Sequence, residues 1–289
     1  MYPKAFEYHA PKTVEEAAAL AKRYGQDAKI LAGGQSLIPL MKLRLVSPGH
    51  LIDLGRVDGL SYVKLEDREL AVGAMTRMAE IANSQLVRDE CPILRECALV
   101  VADAEVRNMG TIGGNLSHAD PTNDMPAVMV ASGASFVATS GAGRRRIPAS
   151  EFFVGTFATA LEAGEVLTEI RIPIGRARSG SYQKLERQAG DFGIAGVAAV
   201  LEMSSDGRCS HCGIGLTGVG PAVIEATKAE GILRGSNLGK DRIEEAAAAA
   251  AEASSPTGDI RGSAEYKREM VRVLTIRAIR EAVKGGSRR

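Results

Sequence analysis

The chemistry-bearing residues of this chain are glycines. There are 32 of them in 289 residues, many in short clusters, and such clusters mark places where a backbone must come close to something. Ala32-Gly33-Gly34-Gln35-Ser36 follows the short strand pattern Lys29-Ile30-Leu31-Ala32 and precedes the amphipathic run from Leu37. A strand, a glycine pair and a helix start, in that order, expose several unpaired amides to an anion. Thr111-Ile112-Gly113-Gly114-Asn115 has the same build: a hydroxyl, paired glycines and a side-chain amide, with Arg107 just upstream. Two such stretches about 80 residues apart predict one ligand with two phosphates, clamped from both sides. No lysine follows either pair in Walker spacing, so nucleotide hydrolysis gains no support.

A third cluster, Gly213-Ile214-Gly215-Leu216-Thr217-Gly218, satisfies G-x-G-x-x-G, with Asp241 downstream. A dinucleotide fingerprint must open a helix, whereas here Val219-Gly220-Pro221 follows at once and forbids one. The stretch is read as a strand whose small residues let a neighbour pack closely. Cys209, His211 and Cys212 have no fourth partner in zinc spacing. On a regular strand Cys209 and His211 would share one face and Cys212 the other. Cys91 and Cys97 read as buried thiols, and His118 as a loop histidine satisfied by backbone. His9 and His50 show no acid–base constellation, and Arg144-Arg145-Arg146 reads as a solvated hairpin edge. No metal site is predicted.

The elements that must position these residues fall into three segments, 1–57, 58–176 and 177–289. The first is a small α/β unit: a strand near Phe6–Tyr8, a helix boxed by Thr13 and Glu16 and stopped by Gly25, the Lys29 strand, and a strand through His50-Leu51-Ile52-Asp53-Leu54. The second is mixed. It has a hairpin turning near Glu66-Asp67, helices from about Thr76 and from Pro92, the loop Arg107 to Asn115, and a helix opened by Asp124 and ended by Gly133. A hairpin turning at Ser140–Gly143 and the strand from Val166 to Pro173 complete it. The third puts three strands first (from Ser181, Ile194 and His211) and helices after, from about Pro221, Asp241 and Ser263, with Asp241 and Glu244 in capping-box spacing. The fold class predicted is α+β, with a three-stranded antiparallel sheet and helices in the last segment.

Composition excludes several classes. Lys+Arg 36 against Asp+Glu 35 leaves a net charge of +1, without the basic excess of a nucleic-acid-coating protein. Trp is absent and aromatics are 4%, too few for base-stacking platforms. No apolar run approaches the roughly 20 residues of a membrane span, and the N-terminus lacks the apolar region of a secretory signal. Four cysteines make no disulfide scaffold, and reduced thiols in the cytoplasm are expected.

The pair AGGQSLIP and VRNMGTIGGN resembles the FAD-binding medium subunit of the molybdenum hydroxylases, the family of aerobic carbon monoxide dehydrogenase, xanthine dehydrogenase and bacterial N-heterocycle dehydrogenases. PTNDMPA at 121–127, VLTEIRIP at 166–173, YQKLER followed by Asp191, and GSAEYKREM at 262–270 fit it in order, over nearly the whole chain. The resemblance implies a two-subdomain flavin fold of the vanillyl-alcohol oxidase (PCMH) type, then a C-terminal α+β domain. FAD would lie between the two subdomains. Ile30, Leu31, Ala32, Gly33, Gly34, Gln35, Ser36 and Leu37, with Thr111, Ile112, Gly113, Gly114 and Asn115, would wrap its pyrophosphate through backbone amides and the Ser36 and Thr111 hydroxyls. Asp124 falls where the family has an acid near the ribose side, Val101 and Leu167 match apolar contacts, and Lys184 matches a lysine near the flavin ring. A cation there would stabilise the anionic reduced flavin. Two positions depart: Gln35 stands where carbon monoxide dehydrogenases have His, and Phe192 where some members set a Tyr over the flavin.

The function this implies is electron transfer. A large molybdopterin subunit would hydroxylate the substrate, electrons would cross [2Fe–2S] clusters of a small subunit to FAD on this chain, and an external acceptor would take them. Nothing here supplies four thiolates per cluster, so partners are needed, with a dimer of heterotrimers expected. The alternative is a self-contained flavoenzyme such as the UDP-N-acetylenolpyruvoylglucosamine reductase. It would need a proton donor beside the flavin, and no Ser or Tyr with a closing Glu is visible in that role. A scaffold that kept the fold and lost FAD is disfavoured by two intact glycine pairs.

Overall fold

The computed structural model describes residues 2–175 and 178–286. The expected boundary at 176/177 lies outside the described residues. The first unit comprises β1 (Glu7–His9), α1 (Val14–Tyr24), β2 (Ala28–Leu31), α2 (Leu37–Lys42) and β3 (His50–Asp53), with a parallel sheet ordered β1-β3-β2. Thr13 Oγ1 accepts the Glu16 N–H at 3.1 Å while the Glu16 carboxylate takes the Lys12 N–H at 2.8 Å, and Gly25 at φ +54° ends α1. These are the start and stop that the sequence encodes. Ala17 and Ala18 press α1 onto Ile52 and Leu54.

The second unit runs β4 (Val63–Glu66), β5 (Glu69–Gly73), α3 (Met78–Asn83), α4 (Gln85–Glu90), α5 (Pro92–Val100), α6 (Ala104–Met109), α7 (Ile112–His118) and α8 (Met125–Ala131). It continues through β6 (Ser135–Ser140), β7 (Gly143–Pro148), α9 (Ala149–Phe152), β8 (Phe153–Gly155), β9 (Ala158–Thr159) and β10 (Val166–Pro173). Its antiparallel sheet is ordered β4-β5-β10-β6-β7. The β4–β5 turn places Asp67 and Arg68 at φ +51° and +65°, the pair of positive values a two-residue hairpin turn demands. The loop expected over 107–115 is instead the end of α6 and the start of α7. The three arginines of β7 are not merely solvated: Arg144 lies 3.8 Å from Glu169, Arg145 chelates Glu165, and Arg146 pairs with Glu69.

The third unit holds β11 (Arg178–Leu185), β12 (Ala195–Met203), β13 (Cys209–Thr217), β14 (Ile224–Glu225), α10 (Thr227–Leu233), α11 (Lys240–Ala253) and α12 (Ala264–Gly286), its antiparallel sheet ordered β11-β12-β13-β14. The sheet therefore has four strands, not three, because residues after Pro221 first add a two-residue edge strand. Asp241 sits within the first turn of α11 and does not cap it; Gly239 occupies that position. Buried alanines 246, 247, 249 and 250 bring α11 close to Val271, Leu274 and Ala278 of α12.

The glycines of β13 pack as the sequence suggests. A Cβ on Gly213 would lie 2.0 Å from the Ala131 carbonyl oxygen, and one on Gly215 2.1 Å from that of Ala127. Helix α8 thus rests directly on the strand. Two expectations fail nearby and in the first unit. A β-bulge opposite Glu202 and Met203 leaves Ser210 unmatched, so Cys209 and Cys212 both turn into the core while His211 is exposed. His9 and His50 do have acidic neighbours: the parallel register sets His50 opposite Glu7. Among the described residues no helix is long and apolar enough to cross a membrane.

Candidate functional site

Residues 32–36 leave β2 and enter α2 without spending their amides. Among the described residues, the N–H groups of Gly33, Gly34, Gln35 and Ser36 donate to no protein acceptor, and the Ser36 side chain caps nothing. Gly34 adopts φ +72°, which turns the chain, and Gln35 Nε2 reaches back to the Gly33 carbonyl at 3.4 Å. Ile30 and Leu31 are half-buried strand residues leading in, and Leu37 is the first residue of α2. Four successive free donors on one bend are what a pyrophosphate requires.

The second glycine pair is close by but differently made. A Cβ on Gly33 would fall 2.3 Å from the Met109 carbonyl oxygen and 2.7 Å from Gly110 Cα, and one on Gly114 3.5 Å from Ala32 Cβ. The two stretches therefore touch backbone to backbone. Yet four of the five amides expected to wrap the pyrophosphate are occupied. Ile112 donates to Thr76 O at 3.0 Å, Gly113 to Ala74 O at 2.8 Å, Gly114 to Thr111 Oγ1 at 3.1 Å and Asn115 to Thr111 O at 3.0 Å. Thr111 is the N-cap of α7, and Gly113 is needed because a Cβ would meet Ala74 Cβ at 2.5 Å. The pair thus seats α7 against the end of β5 and supports the first stretch. What it leaves for a ligand, among the described residues, is the Thr111 N–H, which donates to no protein acceptor, and the Asn115 side chain, whose Oδ1 is buried without a partner while the Asn115 carbonyl accepts from Asn123 Nδ2 at 2.9 Å. A buried polar atom in that state asks for a donor.

Asp124 and Lys184 meet across the second and third units. Asp124 Oδ1 accepts the Tyr182 hydroxyl at 2.6 Å and Oδ2 accepts Lys184 Nζ at 3.1 Å. The same ammonium donates to the Val100 carbonyl at 3.0 Å and lies 3.1 Å from Glu186. Burial pushes the Asp124 carboxyl above the ordinary carboxylate range against the pull of Lys184. Burial and the Asp124 charge push the Tyr182 phenol up. The lysine expected to act on the flavin is thus held in an ion-pair network, donating to the Val100 carbonyl and to Asp124 Oδ2 with the Glu186 carboxylate beside it.

Two family models match the chain: the FAD binding domain in molybdopterin dehydrogenase over residues 4–175, and the CO dehydrogenase flavoprotein C-terminal domain over 180–282. The chain is 43% identical to the carbon monoxide dehydrogenase medium chain of Hydrogenophaga pseudoflava, with 98% of each covered. The solved carbon monoxide dehydrogenase of that organism, in a form lacking the Mo-pyranopterin moiety, superposes with a TM-score of 0.96 at 44% identity, covering 98% of this chain and 99% of the other. Quinoline 2-oxidoreductase of Pseudomonas putida 86 superposes with a TM-score of 0.92 at 36% identity over 99% of both chains. This chain belongs to the FAD-binding medium subunits of the molybdenum hydroxylases. It is an oxidoreductase subunit with a flavin domain followed by a C-terminal domain.

Other residues singled out in the sequence occupy distinct places in this medium subunit. Val101 and Leu167 are buried in the apolar core of the second unit. Phe192, on the loop between β11 and β12, is 49% exposed and lies under the Arg261 guanidinium, 5.9 Å from its ring centre. Arg261 also holds Asp191 at 3.3 Å. His118 packs on the Phe157 ring at 5.1 Å, and burial lowers its pKa, favouring the neutral imidazole. The sequence reading missed Tyr182, although it stands two residues before Lys184 on one strand and so shares its face. It also missed the Met109–Gly110 backbone, a wall for Gly33 that no side-chain pattern announces.

The donor set fits FAD on its own terms. The free amides at 33–36 suit its pyrophosphate, and the orphaned Asn115 Oδ1 suits a hydroxyl or amino donor.

Proposed function

We propose that this chain carries FAD as the electron-transfer subunit of a molybdenum hydroxylase, receiving electrons from [2Fe–2S] clusters of a small partner subunit and delivering them to an external acceptor. A large molybdopterin subunit would perform the hydroxylation, in a cytoplasmic dimer of heterotrimers, with the chain divided as 1–57, 58–176 and 177–289. The observation that carries this reading is the bend of four free amides at 33–36 held against the backbone of 109–110. When bound, FAD supplies the step between paired and single electron transfer.

The chain's own residues bind and orient. Gly33 to Ser36 would donate to the pyrophosphate, and Asn115 would accept from the cofactor. Phe192 with Arg261 would border the ring edge. Lys184, tied to Asp124, would fix the third unit against the second and add little free positive charge. The electrons must enter from outside: two clusters need four thiolates each, and the chain has four cysteines in all, each buried and none in a disulfide. Relatives matched over 98% of their length support a subunit over a self-contained reductase. Substrate choice belongs to the molybdopterin subunit.

Purification of the chain alone tests this. The expected product is yellow, absorbs at roughly 450 nm, and is bleached by a chemical reductant without oxidising any N-heterocycle, aldehyde or carbon monoxide. Substrate turnover by the isolated, molybdenum-free chain, or failure to take up added FAD, refutes the assignment.

A further inference from the structure

The parallel sheet of the first unit assembles a group of side chains that the flavin site does not use. Glu7 and His9 stand two apart on β1 and so share one face, and the register sets His50 of β3 opposite Glu7. His9 Nε2 lies 3.1 Å from His50 Nδ1. Glu7 Oε2 lies 3.4 Å from His50 Nδ1 and 4.0 Å from His9 Nε2. A tetrahedral zinc ion with bonds of about 2.0–2.2 Å holds its ligand atoms roughly 3.3 Å apart. Three corners of that figure are already laid out, and the longest edge ends on an exposed carboxylate free to adjust.

The surroundings orient the ring that matters most. Asp27 Oδ2 lies 3.9 Å from His50 Nε2, while its other oxygen is fixed by the Gly49 N–H at 2.9 Å. Gly49 admits that carboxylate because it has no Cβ, which would sit 2.4 Å from Oδ2. A carboxylate on the Nε2 side favours the proton there and leaves the Nδ1 lone pair facing Glu7 and His9. The Tyr24 ring stacks on His50 with centres 3.6 Å apart and on His9 at 5.2 Å, so both imidazoles are held in place.

We propose that Glu7 Oε2, His9 Nε2 and His50 Nδ1 form a zinc-class divalent metal site on the first unit, beside Tyr24 at the end of α1. The fourth position would fall to water or to a group from another molecule. Two imidazoles and one carboxylate suit Zn²⁺ over Mg²⁺ or Ca²⁺.

The test uses the full flavin-loaded chain, stripped with chelator, dialysed against ZnCl₂ and passed into metal-free buffer, with zinc read by plasma mass spectrometry and stability by thermal melting. One retained zinc per chain and a melting midpoint that rises with zinc are expected. The double variant His9→Gln/His50→Gln should lose both. Glu7→Gln, exposed and so without a folding role, should melt as wild type without zinc and bind it at least about tenfold more weakly. Wild-type protein that retains no zinc shows a hydrogen-bonded histidine pair only and overturns the proposal. So does zinc retained equally by the Glu7→Gln and histidine variants.

Discussion

Gly33→Ala probes whether the contact between the two glycine stretches holds the cofactor. The new methyl would lie 2.3 Å from the Met109 carbonyl oxygen and 2.7 Å from Gly110 Cα, main-chain atoms that cannot rotate aside. Ordinary contact between such atoms is about 3.5 Å, so the two segments must part by about 1 Å. Overpacking of this kind costs about 1–3 kcal/mol, and at about 2–4 °C per kcal/mol the melting midpoint falls by about 2–12 °C. The displaced bend also misaims its amides. One charge-assisted hydrogen bond is worth about 1.5–3 kcal/mol, so losing one weakens FAD binding about 10- to 150-fold. The assay is the ratio of flavin to protein absorbance after gel filtration, with the melting midpoint measured with and without added FAD. Gly231→Ala is the matched control. Gly231 lies within α10 with nothing within 4 Å of an added methyl, so Ala there stabilises by about 0.5–1 kcal/mol and leaves flavin content alone. A Gly33→Ala protein with wild-type flavin content and midpoint would refute the reasoning.

Lys184→Met leaves the Asp124 carboxylate buried without its cation, and removing one partner of a buried pair costs about 3–5 kcal/mol. Urea titration should show that loss, with part of it recovered in Lys184→Met/Asp124→Asn; additive losses would argue against the network. The Glu165 carboxylate accepts Arg145 Nε and Nη2 at 2.6 and 2.8 Å, which holds it below the usual carboxylate range. Folded protein therefore binds this proton less readily than unfolded protein. The stabilisation is present above about pH 4.3 and is lost as pH falls through the lower folded value. Melting between pH 3 and 6 should fall less steeply in Arg145→Gln than in wild type, and equal slopes would remove the pair from the account.

What the sequence disclosed is mostly local. Thr13 with Glu16, Gly25 and the hairpin residues Asp67 and Arg68 act within a few positions of themselves, so their types are enough to read. Gly213 and Gly215 were legible as a packing stripe because Pro221 ruled out the competing helix. The second glycine pair misled because its role depends on acceptors at Ala74 and Thr76, which only the folded chain brings to α7. The bulge at Ser210 reversed the facing of Cys212, and no residue type there announces a bulge. Lys184 with Asp124 and His9 with His50 are pairs 60 and 41 positions apart. Each half looks ordinary until topology joins them.

The seating of α8 on β13 has a mechanical corollary. Main-chain oxygens of Ala127 and Ala131 rest where two side chains would otherwise stand, and Thr217 Oγ1 adds bonds of 2.8 and 2.6 Å to the carbonyls of Pro121 and Asn123. Sliding or opening at this seam would tear bare polar backbone apart and create a void, with no pliable layer to absorb the strain. The second and third units therefore travel as one solid piece.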